Sequence, residues 1–71
     1  MERLAAAQFD ALAKLLRVRE SASRAAARMV LVDGHSQADA ARLSGLKQPS
    51  VTNAVNTFRR GLELAKVAAA Q

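Results

Sequence analysis

The chain has 71 residues, of which 51% are hydrophobic, 24% charged and 3% aromatic, and it contains no cysteine. This length predicts a single domain over residues 1–71. Without cysteine the chain has no disulfide, no thiolate zinc site and no cysteine nucleophile, and its single histidine, His35, argues against a histidine-based metal site. Ser50 and His35 have no partners for a catalytic triad or an oxyanion hole. We therefore expect no enzyme activity, no metal and no cofactor.

The formal net charge is +5 and the isoelectric point is near 11.2. The charge is uneven, because residues 37–60 carry four Lys or Arg and one Asp, whereas residues 61–71 carry one charge of each sign. A small basic domain suggests an anionic partner, although a solvated basic surface explains the composition equally well. No apolar run approaches the ~20 residues of a membrane span, so we expect a cytoplasmic protein without a membrane partner.

The composition favours helix, because 17 of the residues are alanine and isoleucine is absent. The first helix is predicted over Leu4–Leu16. Its apolar side chains recur at spacings of four, three and four, as one face of a helix requires. These residues are Ala5, Phe9, Leu12 and Leu16.

A second helix is predicted over Ala22–Val32, with Ser21 or Ser23 as its N-cap. Asp33–Gly34 ends it, since glycine tolerates the left-handed conformation common at helix C-termini.

The third helix is predicted over Gln37–Ser44. Ser36 fits its N-cap, and Asp39 three residues later makes a weak capping box. Gly45 ends this helix. Its expected packing residues are Ala40, Ala41 and Leu43.

A fourth helix begins at Gln48 or Pro49 and continues toward Gln71, since proline is favoured in a first turn. Gly61 is its weak point and costs about 1 kcal/mol relative to alanine. The apolar stripe comprises Val51, Ala54, Val55, Phe58 and Leu62. The sequence thus predicts an all-α domain of four to five helices with a long C-terminal helix.

The third and fourth helices have the pattern of a helix-turn-helix over about residues 37–58, with a helical extension over about 59–70. Ala41, four residues before Gly45, is small enough to let the two helices approach each other. Gly45 accommodates the turn and Leu46 fills the gap between the helices.

The outward side chains of the fourth helix are amides and hydroxyls rather than the Glu and Lys of an ordinary surface helix. Amides pair with adenine edges in the major groove, and cations bind phosphates. The predicted base-reading residues are Gln48, Ser50, Thr52 and Asn53. The predicted phosphate contacts are Gln37, Arg42, Lys47, Asn56 and Arg59. The expected partner is double-stranded DNA, and no small-molecule ligand is indicated.

Several motifs in this region match a known family. They are Val-Leu-Val-Asp-Gly at residues 30–34, Gln37, Ala41, Gly45–Leu46, and Val51 with Ala54–Val55. This pattern resembles the KorA/TrfB family, whose members are small transcriptional repressors of broad-host-range conjugative plasmids. The resemblance implies a dimer that binds a palindromic operator and controls its own promoter and promoters for conjugation or maintenance. It also implies base reading at the family positions matched here by Gln48, Thr52 and Asn53.

Two positions depart from the family pattern, in which residue 48 is usually basic and residue 49 is not proline. We therefore expect a different operator sequence. Larger members dimerise through a separate C-terminal domain, so the interface of this chain is expected within its own helices. The expected interface is the apolar stripe Leu64, Val67 and Ala68, although Val67 also fits a core position. A competing surface is Leu12, Leu15 and Leu16.

Two other interpretations remain open from the residues alone. One is a small helical protein-interaction module, such as an adaptor or an antitoxin-like dimer, that does not bind specific DNA. The other is the helix-turn-helix of a larger machine, such as a recombinase or a sigma-like factor. An interaction module would carry aromatic or large apolar anchors on the outer face of the fourth helix, and residues 48–56 have none there.

Overall fold

The computed structural model describes residues 3–70, which fold into four α-helices without a strand. The helices are α1 (Ala6–Leu15), α2 (Ala22–Leu31), α3 (Gln37–Ser44) and α4 (Gln48–Ala70). The predicted all-α architecture with a long C-terminal helix is confirmed, and Gln71 lies outside the described residues. Within residues 3–70, no helix has both the length and the apolar character needed to cross a membrane.

The helix starts follow from side-chain caps that satisfy backbone N–H groups at the helix ends. Ser21, rather than Ser23, caps α2, because its Oγ accepts the backbone N–H of Arg24 at 3.2 Å. Ser36 caps α3 by accepting the N–H of Asp39 at 3.1 Å. The first helix begins two residues later than predicted, but Leu4 is still buried and its N–H donates to the carbonyl of Leu31 at 2.7 Å.

The core joins α4 to the other three helices. Phe9 of α1 stacks on Phe58 of α4, with ring centroids 4.4 Å apart. The largest fully buried side chains are Phe9, Phe58, Val30, Val51 and Val55. Leu43 was predicted to pack inward, and this is wrong, because it is 54% exposed. The inward positions of the short helix α3 are occupied by Ala40 and Ala41, and Leu43 lies outside them.

Gly61 lies where the C-terminal end of α1 meets α4. A β-carbon on this glycine would lie 2.7 Å from Cδ1 of Leu16, so its small size permits the contact. Leu12 is buried and Leu16 is partly buried, so the competing surface keeps only Leu15 as an exposed residue. Beyond Gly61, α4 exposes Val67 by 55%, so the core alternative for Val67 is wrong.

Candidate nucleic-acid interface

The turn between α3 and α4 is built on Gly45. Its φ of 73° is left-handed, and its N–H donates to the carbonyl of Ala41. The N–H of Leu46 also donates to that carbonyl, at 3.0 Å, which is the six-to-one bond of a Schellman motif. Leu46 is partly buried against the core. The turn therefore fixes the direction of α4 relative to α3, as the sequence predicts for a helix-turn-helix.

A hydrogen bond between side chains also connects the two helices. The hydroxyl of Thr52 donates to Oε1 of Gln37 at 2.6 Å, and both residues are partly buried. The hydroxyl proton of Thr52 is therefore already engaged, which leaves its methyl group and an oxygen lone pair to face a ligand. The bond also holds the amide of Gln37 against the start of α4. Nothing in the sequence signals this pairing across fifteen positions.

Successive residues of α4 differ by about 100° in direction, so its exposed side divides into distinct faces. Val51 and Val55 face the core. Asn53 and Asn56 are exposed on the opposite face. Thr52 lies at the α3 side of that face. The remaining predicted base-reading residues, Gln48 and Ser50, are exposed, and they lie on opposite flanks of the helix.

The cations predicted to bind phosphate are exposed but have different surroundings. Lys47 immediately precedes α4, whose first turn contains no acidic residue. A cation there opposes the helix dipole and favours a bound anion. Arg42 forms an exposed ion pair with Asp39 at 3.3 Å. Such a pair is worth about 0–1 kcal/mol, so exchanging Asp39 for a phosphate costs little. Arg59 lines a groove together with Leu4 and Glu63.

Two grooves border the exposed face of α4. The first is an open concavity at the predicted base-reading positions, and it is lined by Gln48, Pro49, Thr52 and Asn53. The second, which we call the distal groove, has a volume of about 490 Å³ and separates the end of α1 from the middle of α4. It is lined by Leu16, Asn53, Asn56, Thr57, Arg60, Gly61 and Leu64. Arg60 was not among the predicted site residues, because the sequence alone did not indicate which of Arg59 and Arg60 faces this side.

Comparison with known proteins gives a family match. The family described as TrfB plasmid transcriptional repressor matches residues 4–67, a range that includes the complete helix-turn-helix. No curated protein and no solved structure gives a significant match. The family match confirms the resemblance that the motifs at residues 30–55 indicate. The chain therefore belongs to the TrfB family of plasmid transcriptional repressors.

Proposed function

We propose that this protein represses plasmid promoters by binding a palindromic operator as a homodimer, with the first turns of α4 in the major groove. Family membership implies a transcriptional repressor that binds DNA, and favours this function over a protein-interaction module. The observation that carries the proposal is the set of exposed amides on α4, with Asn53 and Asn56 on its outer face and Gln48 on the flank beside Thr52. No acidic residue occurs between Asp39 and Glu63, so this face can approach phosphates without repulsion.

Base reading falls to the first two turns of α4. The amides of Gln48 and Asn53 can each donate to and accept from an adenine edge, and a good bidentate pair contributes about 1–3 kcal/mol of discrimination. Thr52 presents its methyl group, which suits the methyl group of thymine, because its hydroxyl is bonded to Gln37. Ser50, on the opposite flank of the helix, remains a predicted base contact.

The surface formed by Gln48, Thr52 and Asn53 is called the reading face. The predicted phosphate contacts surround it. Gln37 is the first residue of α3 and Lys47 immediately precedes α4, so each lies at a helix start where a phosphate can bind. Asn56 lies one turn beyond Asn53, and we assign it a phosphate contact further along the same DNA strand. Arg42 and Arg59 complete the predicted set.

The dimer is proposed to form through Leu64, Val67 and Ala68, which are exposed in the single chain. Thr52 and Leu64 are twelve residues apart, or about 18 Å along a helix. Two antiparallel copies of α4 that cross at Leu64 would place their Thr52 residues about 36 Å apart. One turn of DNA separates half-sites by about 34–36 Å, so this pairing suits a palindrome with half-sites one turn apart.

The base-reading role is tested by a pair of asparagine variants. Sites are first selected from random DNA, and binding is then measured by fluorescence anisotropy on the selected operator and on random duplex. Asn53→Ala should weaken operator binding by about 1–3 kcal/mol and leave random DNA unaffected, because it removes a base contact. Asn56→Ala is the matched control and should weaken both duplexes equally. Equal losses for Asn53→Ala on the two duplexes would contradict the assignment.

The dimer is tested by light scattering coupled to size exclusion at micromolar concentration. We expect twice the 7.5 kDa of the single chain. Leu64→Asp should give the monomer with its helical content intact, because Leu64 is 64% exposed in the single chain. A wild-type protein that elutes as a 7.5 kDa species would contradict the proposed interface.

A further inference from the structure

We propose that the distal groove binds the sugar–phosphate backbone of the operator, with Arg60 and Arg17 as its phosphate ligands. This inference rests on the proposed function, in which the first turns of α4 occupy the major groove. It adds a contact beyond the reading face, on the side of α4 away from α3. Neither arginine belongs to the set of contacts predicted from the sequence.

The length of α4 places Arg60 over a DNA strand. Gln48 and Arg60 are twelve residues apart, which corresponds to about 18 Å along the helix. The major groove is only about 12 Å wide. If α4 crosses the groove at an angle while its first turn reads bases, Arg60 lies beyond the groove edge and meets the phosphates there.

The direction of Arg60 distinguishes it from its neighbour. At about 100° per residue, Arg60 points within about 20° of Asn53 and 40° of Asn56. Arg59 points about 100° away and lines the groove that contains Glu63. Arg60 is exposed and shares the distal groove with both asparagines. Arg60 thus shares a face of α4 with Asn53 and Asn56, whereas Arg59 lies on the stripe of Gln48 and Thr52.

The lining of the distal groove suits a deoxyribose–phosphate chain. Leu16 and Gly61 provide an apolar surface for the sugar, while the amide of Asn56 can donate to a phosphate oxygen. No carboxylate lines the groove. Its charge and its continuity with the reading face therefore both favour the DNA backbone as its occupant.

Arg17 lies outside the lining of the distal groove but next to it in the chain, and it gives an independent observation. It directly follows Leu16, is exposed, and is the only residue other than glycine with a positive φ, 56°, within residues 3–70. The N–H of Val18 donates to the carbonyl of Ala13 at 2.9 Å, so Arg17 occupies the helix-ending position where glycine is usual. A cation at the C-terminal end of α1 also complements the helix dipole, and its exposed charge is available to a phosphate beside Leu16.

The test compares Arg60→Gln and Arg17→Gly with Arg28→Gln, which removes one charge from a separate groove beside Phe9 and Glu20. The logarithm of the binding constant is measured against the logarithm of salt concentration, on operator and on random DNA. Arg60→Gln and Arg17→Gly should each reduce the steepness of this dependence by about 1.8 per bound dimer on both duplexes, because one phosphate contact is lost in each protomer. Arg28→Gln should keep the wild-type slope.

Two further measurements separate a DNA contact from a structural role. Glycine accepts a positive φ, so Arg17→Gly should keep or raise the melting temperature while DNA binding weakens. The dimer mass should be unchanged in all three variants. If Arg60→Gln keeps the wild-type slope while Asn53→Ala still loses operator selectivity, the distal groove proposal is overturned and the proposed function stands. If wild-type binding itself is independent of salt, the proposed function fails.

Discussion

Gly61→Ala should destabilise the protein, although alanine is the better helix former. The intrinsic preference alone would add about 1 kcal/mol to the free energy of unfolding. The new β-carbon, however, would lie 2.7, 2.9 and 3.2 Å from Cδ1, Cδ2 and Cγ of Leu16. Because Cγ is also closer than an ordinary contact, rotating the two methyl groups is not enough, and the Leu16 side chain must shift by a few tenths of an ångström. Overpacking of this kind costs about 1–3 kcal/mol, so we expect a net loss of about 1 kcal/mol.

Urea denaturation followed by circular dichroism measures this loss, and the melting temperature should fall by about 4–8 °C. A double-mutant cycle with Leu16→Ala isolates the contact. Once the leucine side chain is removed, Gly61→Ala should stabilise the protein by about 1 kcal/mol, which gives a coupling energy of about 2 kcal/mol. The reasoning is refuted if Gly61→Ala stabilises the wild-type background, or if the two substitutions add within about 0.5 kcal/mol.

Substitutions at two positions probe the helix-turn-helix itself. Gly45→Ala should lower the free energy of unfolding by about 1–2 kcal/mol through its left-handed φ alone, since a β-carbon there meets no atom within 4 Å. Gly45→Asn, which tolerates this conformation better, should lose less, and equal losses in urea denaturation would contradict the strain argument. Thr52→Val should cost about 0.5–1.5 kcal/mol by removing the hydrogen bond to Gln37, whereas Thr52→Ser should retain most of that stability. Unchanged stability in Thr52→Val would show that the bond contributes nothing in solution.

Local signals were sufficient to predict the helices. Ser36 and Gly45 bound an eight-residue helix whose ends match the prediction, because a cap and a left-handed glycine act within a few residues. The apolar stripe of α4 identified Val51, Val55 and Phe58 as core residues for a similar reason, since helical periodicity needs no knowledge of the neighbouring helices.

Features that depend on packing between helices were not predictable. Leu43 is apolar and close to the periodic positions of α3, yet that short helix buries only Ala40 and Ala41. Gly61 was predicted to be a weak point from its helix propensity alone. Its contact with Leu16 joins two helices that are distant in sequence, so the sequence does not reveal it. The positive φ of Arg17 was not predicted, because the usual sequence signal for that conformation is a glycine and this position is an arginine. Each of these depends on how the helices pack, which composition and spacing do not determine.

The same geometry has a consequence for how operator specificity can diverge within the family. Asn53 points away from the core, so under the proposed function its replacement should change operator preference while leaving the fold intact. Thr52 is different, because its hydroxyl is bonded to Gln37 on the preceding helix. A new side chain at position 52 therefore requires an accommodating change at position 37. We expect operator preference to drift independently at position 53, and residues 37 and 52 to change together as a covarying pair.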